Sequence, residues 1–396
     1  MPIIPLFLIS GLLHAWVGWR IAPALADVAA FPQGGALFWA LLVASALLMP
    51  MGLLARRFAG GAWASAMTWL GLIFMGLFSS LFVLTLLRDA MLVLAWLASA
   101  ISSLLGVDAD AAHALLESLQ TWSAAAVPLL GFGVTAWGFW NARRTARVVR
   151  VDVPIVGLPA ALHGFTVAQI SDIHVGPTIK HAYLARIVAR VNALGADMVA
   201  ITGDLVDGRV ADLQRHVQPL ASLKSTHGTF FVTGNHEYYS GAHAWIDELR
   251  RLGLTVLVNE HVVLNHVRAG HETAGMVVAG VADYSAHHFD KSHQSDPVVA
   301  MRGAPPDATL RMLLAHQPRS AHAASDAGFH LQLSGHTHGG QFWPWNHFVQ
   351  FQQPFTAGLN RFKDLWVYTN SGTGYWGPPK RFGVPSEITQ LRLVSA

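Results

Sequence analysis

The chain has 396 residues, of which 53% are hydrophobic and 12% charged, with a formal net charge of +3 and no cysteine. Disulfides and thiolate metal sites are thereby excluded. The small charge, with one dense basic run at 143–150, argues against a nucleic-acid partner, which would demand a broad basic face. The composition is also split. Up to about Trp140 the chain is almost wholly apolar and holds only His14 and His113 of the 21 histidines; the rest follow Arg150. A membrane part followed by a water-soluble part is expected, divided as 1–150 and 151–396.

Four apolar segments come first, at 3–19, 35–54, 63–87 and 119–140. Each approaches the roughly 20 residues that a helix needs to span a bilayer. Residues 91–105 are apolar but short, and Arg88-Asp89 separates them from the third segment. They read as an extension of that helix, an interfacial piece or the start of a re-entrant one.

Arg56-Arg57 follow the second segment, and Arg143, Arg144, Arg147 and Arg150 follow the fourth. The other connections carry mainly Asp27, Asp89, Asp108, Asp110 and Glu117, with Arg20 and Arg88 running against the trend. Lysine and arginine bias places both arginine-rich ends in the cytoplasm. The expectation is a multi-pass protein of the cell inner (cytoplasmic) membrane, with the amino terminus and everything after Arg150 inside. Residues 3–19 followed by Ala24-Leu25-Ala26 have the outline of a signal peptide, but no basic stretch precedes them. His14, Arg20, Arg88 and Asp89 lie mostly near predicted ends, so the helices read as an anchor, not a transport pathway.

From Phe165 the pattern changes to short apolar runs that end in polar loops. Residues 165–170 lead into Asp172-Ile173-His174, and 197–201 into Gly203-Asp204-Leu205-Val206-Asp207. Residues 229–232 lead into Gly234-Asn235-His236-Glu237, 310–314 into His316, and 330–333 into Gly335-His336-Thr337-His338. Such runs read as buried strands, and helical patterns at 179–194 and 243–252 separate several of them. Alternating strand and helix predicts an α/β sheet that gathers ligands outside the carboxyl ends of its strands.

Each cluster pairs nitrogen and oxygen metal ligands with small or turn-forming residues. Together they supply enough ligands for two divalent cations and leave one imidazole over. Two such cations can clamp a phosphoryl group and the oxygen attacking it. Imidazoles and carboxylates suit Mn, Fe, Zn or Ni without favouring one. Asp172 and Asp204, after apolar runs, need a partner for their buried charge. Glu237 reads as a solvated loop carboxylate outside the site. His287-His288 and His293, near Asp283, Asp290 and Asp296, show no regular ligand spacing, so no third metal is expected.

The five motifs, in this order, resemble the calcineurin-like metallophosphoesterase superfamily, and more narrowly its membrane-associated bacterial members of the YkuE/YaeI type. The resemblance covers about 151–393 and implies a four-layer α/β metallophosphoesterase sandwich, here preceded by an all-α transmembrane helical region. It also implies that Asp172, His174 and His338 join Asp204 around one metal, and that Asn235, His316 and His336 join Asp204 around the other. His236 is then the unligated residue that stabilises the transition state or protonates the leaving group. Asp207 is placed to orient that imidazole, as carboxylates often do.

The implied activity is hydrolysis of a phosphodiester or pyrophosphate by a two-metal-activated hydroxide, on a lipid-linked or envelope-related substrate, with membrane lipids close by. Protein phosphatase activity is disfavoured, because Thr233 and Asp207-Gly208-Arg209 depart from the pattern of those relatives. Phe342, Trp343, Trp345, Phe348, Phe351 and Phe355 are expected to pack a core or lid, or to meet acyl chains or headgroups. Lys380 or Arg381 is expected to meet substrate phosphate. A membrane scaffold or sensor that binds phosphate ligands without cleaving them is the alternative, and the presence of Asp204 and His236 weighs against it. Nothing in the sequence sets an oligomeric state.

Overall fold

The computed structural model describes residues 3–28, 31–58, 61–105 and 109–396. Asp108, and the side chains of Arg56, Arg57 and Asp110 that enter the charge-asymmetry expectation, lie outside the described residues. The chain falls into two compact units, Met1–Trp140 with Gly377–Lys380, and Asn141–Trp376 with Arg381–Ala396. The division therefore falls within the fourth helix, ahead of position 150, and a short carboxyl-terminal segment goes with the helical unit.

The helical unit holds α1 (Ile3–Ala26), α2 (Gly34–Phe58), α3 (Gly61–Leu104) and most of α4 (Ala109–Arg143). Each of the four has a stretch long and apolar enough to cross a membrane. Val17, Ile21, Phe38, Leu42, Leu77 and Leu81 form the packed interior. Residues 91–104 continue α3 without a break, because no glycine or proline interrupts the run. At 44 residues α3 is about 66 Å long, roughly twice the hydrocarbon thickness. Arg20 donates two hydrogen bonds to Asp89, at 2.8 and 2.9 Å, while Arg88 donates to Ser123 Oγ and the Gln120 carbonyl. These ionisable groups therefore satisfy one another inside the unit, as charged groups among apolar helices must.

The second unit is α/β. Its first sheet takes β1 (Arg147–Ile155), β2 (Thr166–Ile170), β3 (Met198–Ile201), β4 (Thr229–Phe231), β5 (Thr255–Val256) and, late in the chain, β12 (Glu387–Ser395). Helices α5 (His181–Asn192), α6 (Val210–Val217), α7 (Asn235–Ser240) and α8 (Ala242–Arg251) are interleaved with these strands. The second sheet comprises β6 (Glu260–His266), β7 (Ala274–Gly280), β8 (Leu310–Leu314), β9 (Leu331–Ser334), β10 (Gly358–Phe362) and β11 (Leu365–Thr369), with α9 (Pro297–Ala300) and α10 (Ala321–Asp326) between them. The strand orders are β1-β12-β2-β3-β4-β5 and β10-β11-β9-β8-β7-β6.

Three apolar interfaces produce four layers. Val167, Met198, Ala200 and Phe230 of the first sheet meet Met276, Val278, Met312 and Leu333 of the second. The other face of the first sheet packs Ile170, Val199 and Phe231 against Leu184 and Ile187 of α5, Leu213 of α6 and Trp245 of α8. The other face of the second packs Val277, Leu313 and Val367 against Ala300 of α9 and Ala321 and Ala324 of α10. Strands buried on both faces read as continuous apolar runs, which is why their sequences lack alternation. Strands β2, β3 and β4 are parallel to one another, as are β7, β8, β9 and β11. All five motif loops leave the carboxyl ends of these parallel strands.

Candidate metal centre

The backbone is forced into an unusual conformation where the loops meet. Asp172, His174, Asp204, His336 and His338 all have positive φ, between 50° and 69°. Non-glycine residues rarely adopt this region, and each such position costs about 1–3 kcal/mol. Glycines make the close approach possible. A Cβ on Gly234 would lie 2.2 Å from Asp204 Oδ1, and one on Gly335 would lie 2.2 Å from Asp172 Oδ2.

The structure brings Asp172, His174, Asp204, Asp207, Asn235, His236, His316, His336 and His338 together here, but not Lys380, and Arg381 only from behind. Asp172, His174 and His338 form one group of donors, and Asp204, His316 and His336 another. His174 Nε2 faces His338 Nε2 at 3.0 Å, and His316 Nε2 lies 3.2 Å from His336 Nδ1. Asp204 Oδ2 stands between the groups, 3.1 Å from His316 Nε2 and 3.9 Å from both His174 Nε2 and His236 Nε2. Asn235 Oδ1 is buried and has no hydrogen-bond partner among the described residues. A buried amide oxygen without a donor is unfavourable alone, and a cation would satisfy it; the facing imidazole nitrogens, which can share a proton as N–H···N hydrogen bonds, would offer a cation their lone pairs instead. The donor set is imidazole, carboxylate and amide oxygen, which fits a divalent first-row metal.

The electrostatics agree. Asp204 is held well below the usual carboxylate range: burial opposes its charge, but the His316 ring, with His236 and His174, together outweighs burial. His316 is raised well above its ordinary value in turn, its burial overcome by Asp204 together with Asp172 and Asp283. The proton shared by this pair balances charge that a cation would otherwise balance. His336 is pushed down to about 3 by burial and then by the charge on His316, and His338 is lowered by burial and by His174. Both are thus neutral with lone pairs available at neutral pH.

Asp207 Oδ1 lies 2.6 Å from His236 Nδ1 and 3.0 Å from His174 Nδ1. His236 is raised to about 9: burial opposes its charge, but the Asp207 hydrogen bond and then the Asp204 charge exceed that opposition. The His236 ring lies between two exposed aromatics, with Tyr239 at 5.1 Å and Trp376 at 5.8 Å.

Several side chains sit where the sequence did not point. Glu237 is fully buried, not solvated. Its carboxylate accepts from the amides of Gly234, Asp204, Leu205 and Val206 at 2.6–3.2 Å. It stands at the third position of α7 and accepts from the amide of the N-cap residue Gly234, the glutamate half of a capping box whose other half a glycine has no side chain to supply. Arg381 does not face a substrate. It is fully buried, and its guanidinium donates to the carbonyls of His338, Ser371 and Gly374 at 2.6–2.9 Å, bracing the His338 loop. Lys380 is likewise buried, and in the helical unit its amine donates to Gly76 O and Ser80 Oγ at 3.0 and 2.6 Å. Thr373 N donates to Ser171 O, and Gly374 N to Asp172 O, so the carboxyl-terminal loop also supports the Asp172 turn. Of the aromatic run, only Phe342 is buried, while Trp343, Trp345, Phe348 and Phe351 are exposed.

The sequence has known relatives. The family model for calcineurin-like phosphoesterases matches residues 165–340. An uncharacterized metallophosphoesterase of Helicobacter pylori (strain ATCC 700392 / 26695) is 34% identical over 288 residues, covering 72% of this chain and 74% of its own. The chain therefore belongs to the calcineurin-like phosphoesterase family. A transmembrane protein with metallophosphoesterase domain from Danio rerio is 37% identical over 268 residues, covering 66% of this chain and 61% of that protein. Uncharacterized metallophosphoesterase YkuE of Bacillus subtilis (strain 168) is 28% identical over 247 residues, covering 60% of this chain and 82% of its own. The chain thus spans about three fifths of the length of the Danio rerio relative.

Proposed function

We propose that the protein is a membrane-anchored phosphoesterase that hydrolyses phosphodiester or pyrophosphate bonds in a lipid-linked substrate. One observation carries the reading: buried Asp204 stands between two donor groups, and His236 beside it is backed by Asp207. In this assignment Asp172, His174, His338 and Asp204 hold one divalent cation, and Asn235, His316, His336 and Asp204 hold the other, as Mn, Fe, Zn or Ni. When bound, such a pair supplies Lewis acidity to polarise the phosphoryl group and to make water nucleophilic at neutral pH.

The chain's own residues supply the rest. Asp207 fixes the His236 ring and keeps its proton on Nδ1 in the neutral form. The charged form donates from Nε2, where a leaving oxygen can take the proton. His236 is held among carboxylates that favour this cation, so the acid is present at neutral pH. Asp207 also holds His174 Nδ1, which leaves His174 Nε2 as the ligating nitrogen.

Two features support a lipid-linked substrate. Tyr239 and Trp376 flank His236, giving the leaving-group side apolar walls, and Trp343, Trp345, Phe348 and Phe351 expose aromatic surface. Aromatics of this kind settle at headgroup level. Under this reading residues 1–150 anchor residues 151–396 on the cytoplasmic side of an inner membrane. The test is turnover by the full chain in mixed micelles of a lipid-linked pyrophosphate, compared with a water-soluble phosphodiester and phosphomonoester. Preference for the lipid-linked pyrophosphate supports the proposal. Equal kcat/KM for the soluble diester overturns the lipid assignment, and metal binding without turnover of any of the three favours a binding role.

A further inference from the structure

A second set of ligating side chains lies beyond the centre, built from elements far apart in sequence. His243 opens α8, whereas Asp290 and His293 belong to the short turns that precede α9. One ring nitrogen from each histidine and one oxygen of Asp290 all lie within 4.8 Å of one another. His243 Nε2 is 2.8 Å from Asp290 Oδ2, and the two imidazole centroids are 4.9 Å apart. Tetrahedral zinc with nitrogen and oxygen bonds near 2.0–2.2 Å needs its ligand atoms about 3.3–3.5 Å apart. Small side-chain rotations span that difference.

The ligands are also held from behind, the arrangement that distinguishes a prepared site from a chance cluster. Asp290 Oδ1 accepts from Ser292 N at 2.8 Å and Ser292 Oγ at 2.6 Å, which leaves Oδ2 as the outward donor. Those bonds hold the carboxyl ionised, lowered to about 2. His293 Nδ1 bonds the Tyr238 hydroxyl at 2.8 Å, which leaves Nε2 as the ring's second nitrogen. Burial lowers His293, keeping it neutral as ligation requires. His243 is exposed and can turn to meet a cation.

We propose that His243, Asp290 and His293 form a separate site for one transition-metal cation of the zinc class, with solvent in the fourth position. Two imidazoles and a carboxylate suit zinc, nickel or copper better than calcium or magnesium. The site would pin the turn at 286–293 to the start of α8. That turn carries Phe289, which packs 5.5 Å from Tyr239 and 5.9 Å from Tyr238. Tyr239 is the residue stacked edge-on against His236, so the cation would steady one wall of the centre without touching it.

Metal content distinguishes this site from the first. The full chain in detergent is stripped with a chelator, equilibrated with Zn²⁺, and its zinc per chain measured by mass spectrometry beside Asp290→Asn, His293→Ala and His243→Ala. His243 is exposed, so its substitution reports on the site with little effect on folding. The expected result is one zinc fewer per chain in each variant than in wild type. Asp204→Asn, which strikes the first centre, should keep the outer zinc, and the double variant Asp204→Asn with His243→Ala should hold one zinc fewer than Asp204→Asn alone. Identical zinc content in wild type and all three outer variants would overturn the proposal, whether or not the chain hydrolyses any ester.

Discussion

Asp207 Oδ1 sits 2.6 Å from His236 Nδ1, so one carboxylate oxygen fixes the imidazole that is free of both donor groups. The same oxygen holds His174 Nδ1 at 3.0 Å. A single residue thereby sets the orientation of a proposed acid and of a proposed ligand.

Removing that carboxylate charge should move a pH profile in a defined direction. His236 is raised to about 9, so its proton is retained at lower pH and lost as pH rises through that value. Asp207→Asn removes a hydrogen bond and a charge that favour the cation, so the alkaline limb of kcat should shift to lower pH. His236→Ala should lower kcat by about 10²–10⁴-fold, the usual worth of a general acid. An unmoved limb in Asp207→Asn would break the link between the two residues. Steady-state rates across pH, with metal content checked, decide it.

Glu237 is a prediction about stability. Its carboxylate accepts four backbone amides in the interior, beneath Asp204 and Asn235. Glu237→Ala strands those donors, and each unsatisfied buried group costs about 1–3 kcal/mol. A loss of at least about 3 kcal/mol is expected, with weaker metal retention, and a smaller loss for Glu237→Gln, which keeps one acceptor oxygen. Thermal unfolding of the three proteins in detergent measures both the order and the size.

The glycines before the ligands offer a purely steric test. Gly335→Ala places a methyl about where Asp172 Oδ2 lies, because the added Cβ would be 2.2 Å away. Gly270→Ala is the comparison, since among the described residues nothing lies within 4 Å of its added Cβ, although its φ of 81°, unlike that of Gly335, is in the left-handed region. Gly335→Ala should lose metal and activity together, while Gly270→Ala should keep both. Equal metal content in the two variants would contradict the packing account.

Removing metal should destabilise the second unit. Asp172 and Asp204 are buried; without cations, burial and the Asp204 charge push the Asp172 carboxyl up, while the charge of Asp204 rests on His316 and the other imidazoles. A ligand that binds the folded chain alone stabilises it in proportion to the logarithm of its concentration. The Tm should therefore rise stepwise as Mn²⁺ or Zn²⁺ is returned to stripped protein, and Asp204→Asn should show a smaller rise. A Tm indifferent to metal would count against ligands buried in the core of the site.

Much of this arrangement was legible in the sequence because its chemistry is local. Each ligand follows an apolar run within a few residues, and strand ends in an α/β fold converge. Fold class, the convergence of the candidate side chains and the four apolar helices could be read on that basis. What could not be read depends on distant partners. Glu237 looks like any loop carboxylate until its amide donors come from the 204–206 turn. Arg381 looks like a phosphate binder until the His338, Ser371 and Gly374 carbonyls surround it. The aromatics after Gly340 look like core, yet Phe351 is 78% exposed, since their density says nothing about which way the turns face. The extent of α3 was undecided because Arg88-Asp89 resembles a boundary; the partners that let the helix continue, Arg20, Gln120 and Ser123, lie on other helices.

The most direct measurement is hydrolysis of a generic aryl phosphodiester by the purified full chain, stripped of metal and then reloaded with Mn, Zn, Fe or Ni, beside Asp204→Asn and His236→Ala. Stripped protein should show no turnover, and reloading should restore it. Two ions should bind at the first centre, Asp204→Asn should lose both ions and activity, and His236→Ala should lose activity while retaining metal. Folded protein that binds no metal at Asp172, His174, Asp204, Asn235, His316, His336 and His338 would contradict the central claim.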